Sequence, residues 1–169
     1  MRPSKNDYAE YYHKYIQELK NDNILGILEE QLNSNLELFN SISEEKANYR
    51  YAEGKWSIKE LLGHMLDTER IFAYRALCIA RGEKQQLPGM DQDDYVKEVD
   101  FDKRQFTDMV KEYELVRKSN LQLFRSFSEQ ELNRRGSANN NEVTVLAIMF
   151  IIAGHELHHI KVLKEKYLG

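Results

Sequence analysis

The sequence is short of cysteine, proline and positive charge, and each shortage removes a class of protein. A single cysteine, Cys78, excludes an intramolecular disulfide framework and fits a reducing compartment. As a small apolar side chain it is expected to be buried. The only prolines are Pro3 and Pro88, so long helices can run without interruption. Lys and Arg number 24 against 28 Asp and Glu, a net charge of −4. That balance offers no electrostatic footprint for nucleic acid, and no nucleic-acid partner is expected. No apolar run of signal-peptide length follows Met1. The longest apolar stretch, Val143 to Gly154, is too short to cross a bilayer before the sequence turns polar. A cytoplasmic protein with no membrane partner is therefore expected. No segment alternates apolar and polar residues over a useful length, so no strand is expected either.

What is present is helical periodicity. The 169 residues, 41% apolar and 31% charged, suit one globular domain over 1–169. A first helical region is expected from Tyr8 to Asn40, broken near Asn21-Asp22-Asn23, with Ile24, Ile27, Leu28, Leu32, Leu36 and Phe39 at helical spacing. Ser57 and Glu60 form a capping-box pattern that starts a helix running to Arg81 and stopping at Gly82. Asp102 is read as the cap of a helix from Lys103 to Phe127, and Ser128 as the cap of a short turn. Arg134 to Asn141 reads as a loop, and Thr144 caps a last helix that continues to Tyr167. Four main helices without an internal repeat predict an all-α four-helix bundle.

Histidines interrupt the apolar stripes of two of these helices. His155 and His159 stand four residues apart at the centre of the stripe containing Ile148, Ile151, Ile152 and Leu163. Both imidazoles therefore leave one helix face and can reach one metal ion. His64 lies at the margin of the arc formed by Ile58, Leu61, Leu62, Met65 and Phe72, where a hydrogen-bonded core histidine is the plainer reading. Glu69 falls inside that arc, where an unpaired carboxylate is costly. It is either a partner standing behind a ligand histidine or half of a buried ion pair. His158 sits at the edge of its arc, and His13 has no visible partner. Leu146 and Phe150 lie opposite the histidine stripe, which suggests cover from a second subunit.

His155-Glu156-Leu157-His158-His159 also matches H-E-x-x-H, the zinc-peptidase pattern, with Glu156 as the would-be base. The short sequence after His159 and the lack of strands to hold a peptide weigh against that activity. Glu156 could face a metal or a neighbouring helix.

Lys55-Trp56-Ser57-Ile58-Lys59-Glu60-Leu61-Leu62-Gly63-His64, followed by Asp67 and Glu69, resembles the first signature of the DinB-like superfamily. Gly154-His155-Glu156-Leu157-His158-His159-Ile160 resembles its second. The resemblance implies a four-helix bundle binding a divalent metal, zinc or nickel, through His64, His155 and His159. It also implies a small-molecule substrate, with thiol-dependent S-transferases and metal-dependent hydrolases among the relatives, and dimers as a common assembly. The low-molecular-weight thiol or water would be activated at the metal, with Glu69 and Glu156 as candidate catalytic groups for proton transfer. Trp56 is expected to anchor its helix rather than touch substrate. The alternative from another class is a non-catalytic metal- or ligand-binding bundle acting in a stress response.

Overall fold

Side-chain caps set where most of the helices begin. In the computed structural model, which describes residues 1–169, eight α-helices follow in order. They are α1 His13–Gln17, α2 Ile24–Asn40, α3 Glu44–Ala47, α4 Ile58–Ala80, α5 Gln92–Lys97, α6 Phe106–Arg125, α7 Glu129–Leu132 and α8 Val145–Val162. Ser57 Oγ accepts from Glu60 N at 3.1 Å while Glu60 returns a carboxylate oxygen to Ser57 N at 2.6 Å. This satisfies two otherwise orphaned groups at the start of α4. Asn23 caps α2, Ser128 caps α7 and Thr144 caps α8 through side-chain oxygens. Gly82, at φ 89°, follows the end of α4, a conformation that a side chain would strain.

The four long helices form the expected bundle. α2 packs on α6 and α8, and α4 also packs on α6 and α8. Consecutive long helices α2 and α4 therefore stand at opposite corners, and so do α6 and α8. Every residue of α8 from Val145 to Gly154 is buried, which makes α8 the central core element. Each large aliphatic side chain on it contributes about 1.5–3 kcal/mol relative to exposure. The stretch read as too short for a bilayer belongs to a longer helical run, Val145–Leu168, that is apolar enough by length and composition to cross one. Here its apolar surface is covered by α1, α2 and α4.

Four expectations are corrected. Between Tyr8 and the break at residues 21–23 the chain forms only a 3₁₀ turn, Glu10–Tyr12, and the five-residue α1. The Arg2 guanidinium takes the carbonyls of Ile16, Leu19 and Asn21 at 3.2, 2.7 and 2.9 Å, satisfying acceptors at and just beyond the end of α1. Asp102 is not a cap. It lies in a 3₁₀ turn, Phe101–Lys103, and α6 starts at Phe106, whose N–H is taken by Glu44 at 2.7 Å. That turn docks Phe101 against Gly63, where a Cβ would lie 2.2 Å from the ring.

The loop at 134–141 contains an antiparallel hairpin, β1 Arg135–Ala138 with β2 Asn141–Thr144, in register Arg135↔Thr144 and Ala138↔Asn141. Asn139 and Asn140, at φ 50° and 60°, make the two-residue connection that favours hairpins. Four-residue strands are too short to display an alternation. Finally, Cys78 is half-buried rather than enclosed.

The last helix continues as expected, although its final stretch, Leu163–Leu168, winds as a π-helix. Leu146 and Phe150, which suggested a second subunit, are already covered inside the chain. The Arg2 guanidinium lies 5.6 Å over the Phe150 ring, and both side chains are buried.

Candidate metal centre

The neighbouring helices α4 and α8 bring together the three histidines singled out in the sequence. His64 is buried, at 2% exposure, so its place at the edge of the arc still points inward. Its ring lies 4.9 Å from that of Trp56. Trp56 is pinned in turn by Tyr167, whose hydroxyl donates to the Trp56 carbonyl at 2.8 Å. Gly154 lets α1 cross α8 closely, since a Cβ there would lie 2.4 Å from Tyr15 O. The crossing sets the Tyr15 ring edge-on to His155, with centroids 5.8 Å apart.

The three Nε2 atoms form a nearly equilateral triangle. The separations are 3.0 Å from His64 to His155, 3.1 Å from His64 to His159 and 3.0 Å from His155 to His159. A neutral imidazole carries one N–H. With those protons on Nδ1, three lone pairs face each other, an arrangement that a shared cation turns from repulsive to attractive. Bonds of about 2.0–2.1 Å to one ion imply N···N separations of about 2.8–3.4 Å, and the triangle falls in that range. The residues therefore fit a divalent metal. The His64 Nδ1 lies a long 3.5 Å from Thr68 Oγ1, the acceptor placed to hold this tautomer.

Burial keeps the three imidazoles uncharged. It pushes the His64 pKa down to about 4. The His159 pKa falls to about 3 through burial, with the charges of His64 and His158 adding to it. His155 is held well below the usual imidazole range by burial first and by the other histidines second. All three present free lone pairs at neutral pH.

His64 and His155 form part of the wall of a cavity of about 340 Å³. Tyr11, Tyr12 and Tyr15 come from the N-terminal segment, Thr68 and Phe72 from α4, Met90 and Gln92 from the loop and start of α5, and Asn139 and Asn141 from the hairpin. No carboxylate, ammonium or guanidinium lines it. Thr68 and Phe72 follow His64 at four-residue steps, a signal available in the sequence. The tyrosine wall had no such signal, because its position depends on Arg2 and Gly154.

Glu69 and Glu156 do not line this cavity. Glu69 accepts from Arg117 Nε and Nη2, both at 2.8 Å, and Glu156 accepts from Arg117 Nη2 at 2.7 Å. Arg117 is fully buried. Asn120 donates to Glu69 at 3.1 Å and Asn35 to Glu156 at 2.9 Å. Of the two readings of Glu69, the ion pair is the one observed, and Glu156 faces α6. His158 stands outside the triangle, its ring 5.3 Å from that of Tyr15. His13 has the partner its sequence did not reveal, the Tyr8 hydroxyl at 3.0 Å.

Known proteins share this fold and most of this sequence span. YfiT from Bacillus subtilis, described as a probable metal-dependent hydrolase with an unusual four-helix bundle topology, superposes with a TM-score of 0.73. The two are 16% identical, and the match covers 98% of this chain and 90% of YfiT. YjoA, a DinB-like protein of the same organism, gives a TM-score of 0.60 at 23% identity over 83% of this chain and 85% of its own. A protein from Oceanobacillus iheyensis, named as a candidate metal-dependent hydrolase, is 26% identical over 129 residues, 76% of this chain and 74% of that one. Residues 27–163, a span that includes all three histidines, match the DinB superfamily, and the chain belongs to that superfamily.

Proposed function

We propose that the protein is a metal-dependent enzyme, in the first instance a hydrolase, acting on a small molecule at a divalent ion held by His64, His155 and His159. The observation that carries this reading is the convergence of three uncharged imidazole nitrogens, two of them (His64 and His155) at the wall of an open cavity. A divalent ion on neutral ligands keeps its full charge and supplies Lewis-acid activation of a water or a thiol at neutral pH. Zinc and nickel both suit three imidazoles. The names carried by YfiT and the Oceanobacillus protein support hydrolysis. Transfer of a low-molecular-weight thiol is the other reaction this donor set suits.

The rest of the cavity orients substrate without charge. Burial raises the Tyr15 phenol pKa, so its hydroxyl stays a hydrogen-bond donor. Gln92, Asn139 and Asn141 supply amide groups, while Tyr12, Phe72 and Ile151 keep one wall dry. With both buried glutamates bound to Arg117, proton transfer falls to these hydroxyls, to substrate or to solvent.

Elemental analysis of protein purified without a histidine tag should find about one divalent ion per chain. The loaded protein should then turn over members of an ester and amide panel, or of a thiol and electrophile panel, and His155→Ala should abolish that turnover. No metal under replete conditions overturns the metal reading. Tight metal binding without turnover on either panel favours the non-catalytic bundle.

A further inference from the structure

Three lysine or arginine side chains are buried in this protein, Lys59, Arg75 and Arg117. Two of them have carboxylate partners. Lys59 Nζ lies 2.5 Å from Glu44, and Arg117 sits between Glu69 and Glu156. Arg75, only 4% exposed, forms no ion pair. Its Nη2 donates to the Pro88 carbonyl at 2.7 Å, and its guanidinium carbon lies 4.8 Å from the centre of the Phe72 ring. Its Nε is buried with no partner at all. The ionisable groups facing it are the phenols of Tyr12 and Tyr95. A guanidinium remains charged in proteins, so this is a largely buried cation without an anionic partner, and its Nε–H is a buried donor with no acceptor. Such groups ordinarily acquire an anion.

The place of Arg75 says where that anion would come from. Arg75 lines a recess of about 20 Å³ together with Tyr12, Phe72, Asn139, Asn141 and Ile151. The same five residues also line the larger cavity that reaches the histidines, so the recess is a side branch of it. His64, Thr68, Phe72 and Arg75 follow one another along one face of α4. Eleven residues separate His64 from Arg75, roughly 16 Å along the axis, and long helical side chains point back toward the helix start, which shortens the gap. Glu142 also lines the recess, but its side chain is 75% exposed and its carboxylate lies 3.8 Å from Arg135. A recess this small admits a planar terminal group more readily than a tetrahedral phosphate.

We propose that Arg75 is a substrate-recognition residue and that the substrate is a carboxylate. The carboxylate group enters the recess to accept from Arg75 Nε–H, and an uncharged, partly aromatic body lies along the tyrosine wall toward the histidines. The proposal rests on the reading of the cavity as the reaction centre.

The test uses the full chain, isotope-labelled, with the Arg75 Nε–H resonance assigned through bonds. The probes are 4-phenylbutyrate and its neutral amide, added to metal-free and to zinc-loaded protein. The carboxylate should move the Arg75 Nε–H signal in both forms and bind roughly tenfold or more tightly than the amide, as expected when a hydrogen bond gains a full charge. Arg75→Gln should remove that preference. An Nε–H signal indifferent to saturating carboxylate overturns the proposal, and leaves a trapped water as the partner of Nε. So does a preference that appears only with zinc and survives in Arg75→Gln, because the carboxylate is then a metal ligand; that outcome leaves the metal reading intact. A preference carried by Arg75 in a protein that takes up no metal has the opposite meaning, supporting the recess and refuting the metal reading. If Arg75→Gln does not fold, the Nε–H response of the unmodified chain decides.

Discussion

Replacing Arg117 with methionine isolates the buried ion cluster, because methionine fills similar space without charge. Arg117 is 0% exposed and Glu69 and Glu156 are 5% and 4% exposed, so the substitution leaves two carboxylates in the interior without their cation. Removing one partner of such a cluster costs about 3–5 kcal/mol, a large share of the roughly 5–15 kcal/mol that holds a domain together. For a chain of this size each kcal/mol lowers the midpoint by about 2–4 °C, so Arg117→Met should melt about 6–20 °C lower at pH 7. Burial already pushes the Glu156 pKa up from the ordinary carboxylate range, with Arg117 the first opposing influence. Without Arg117 that pKa rises further. The folded variant then holds a proton that the unfolded chain releases above about 4.5, so its stability falls as pH rises through this interval. The deficit should therefore shrink between pH 7 and pH 5. Neutralising both acids, in Glu69→Gln/Arg117→Met/Glu156→Gln, should recover at least about 2 kcal/mol. Urea titrations at the two pH values measure all of this. A loss below about 1 kcal/mol at pH 7, or a deficit that grows on acidification, would refute the reasoning.

Two further predictions follow from the site and its supports. In metal-free protein the His64 and His159 pKa values are depressed to about 4 and about 3, whereas unfolded imidazoles protonate near 6.5. The unfolded state binds more protons between these values, so stability should fall as pH drops from 6.5 toward 4, by at most about 1.4 kcal/mol per unit for each histidine. Calorimetry of His159→Phe should show a shallower fall, and an unchanged slope contradicts the assignment. Gly154→Ala places a methyl 2.4 Å from Tyr15 O and should cost about 1–3 kcal/mol by overpacking. It should also remove the nuclear Overhauser contact between Tyr15 and His155, and retention of both contact and stability excludes the close crossing as a constraint.

The parts of the fold governed by local rules were legible in the sequence. Ser57 with Glu60, Thr144 and Gly82 mark helix ends through atoms a few residues away, and His155 with His159 share a face because of helical pitch alone. What the sequence concealed depends on distant partners. Arg117 lies 48 residues from Glu69 and 39 from Glu156, so neither glutamate could be recognised locally as half of an ion cluster. The short α1 depends on Arg2 reaching carbonyls 14 to 19 residues away. The hairpin is held by Asn139 and Asn140 at positive φ, with strands too brief for a pattern. Arg75 carries no local signal, because a lone arginine in a helix reads as a surface residue.

The opposite-corner arrangement of α2 and α4 has a consequence for how the site is made. His64 and His155 are 91 residues apart in the chain, and the helix carrying two of the three nitrogens is the last bundle element to leave the ribosome. Closing so long a loop carries its entropic cost before the three imidazoles can meet. Until α8 inserts between α2 and α4, the nascent chain holds only His64 of the three clustered histidines, beside an open groove. Assembly of the three-imidazole cluster is thus a late event, coincident with the final helix finding its slot.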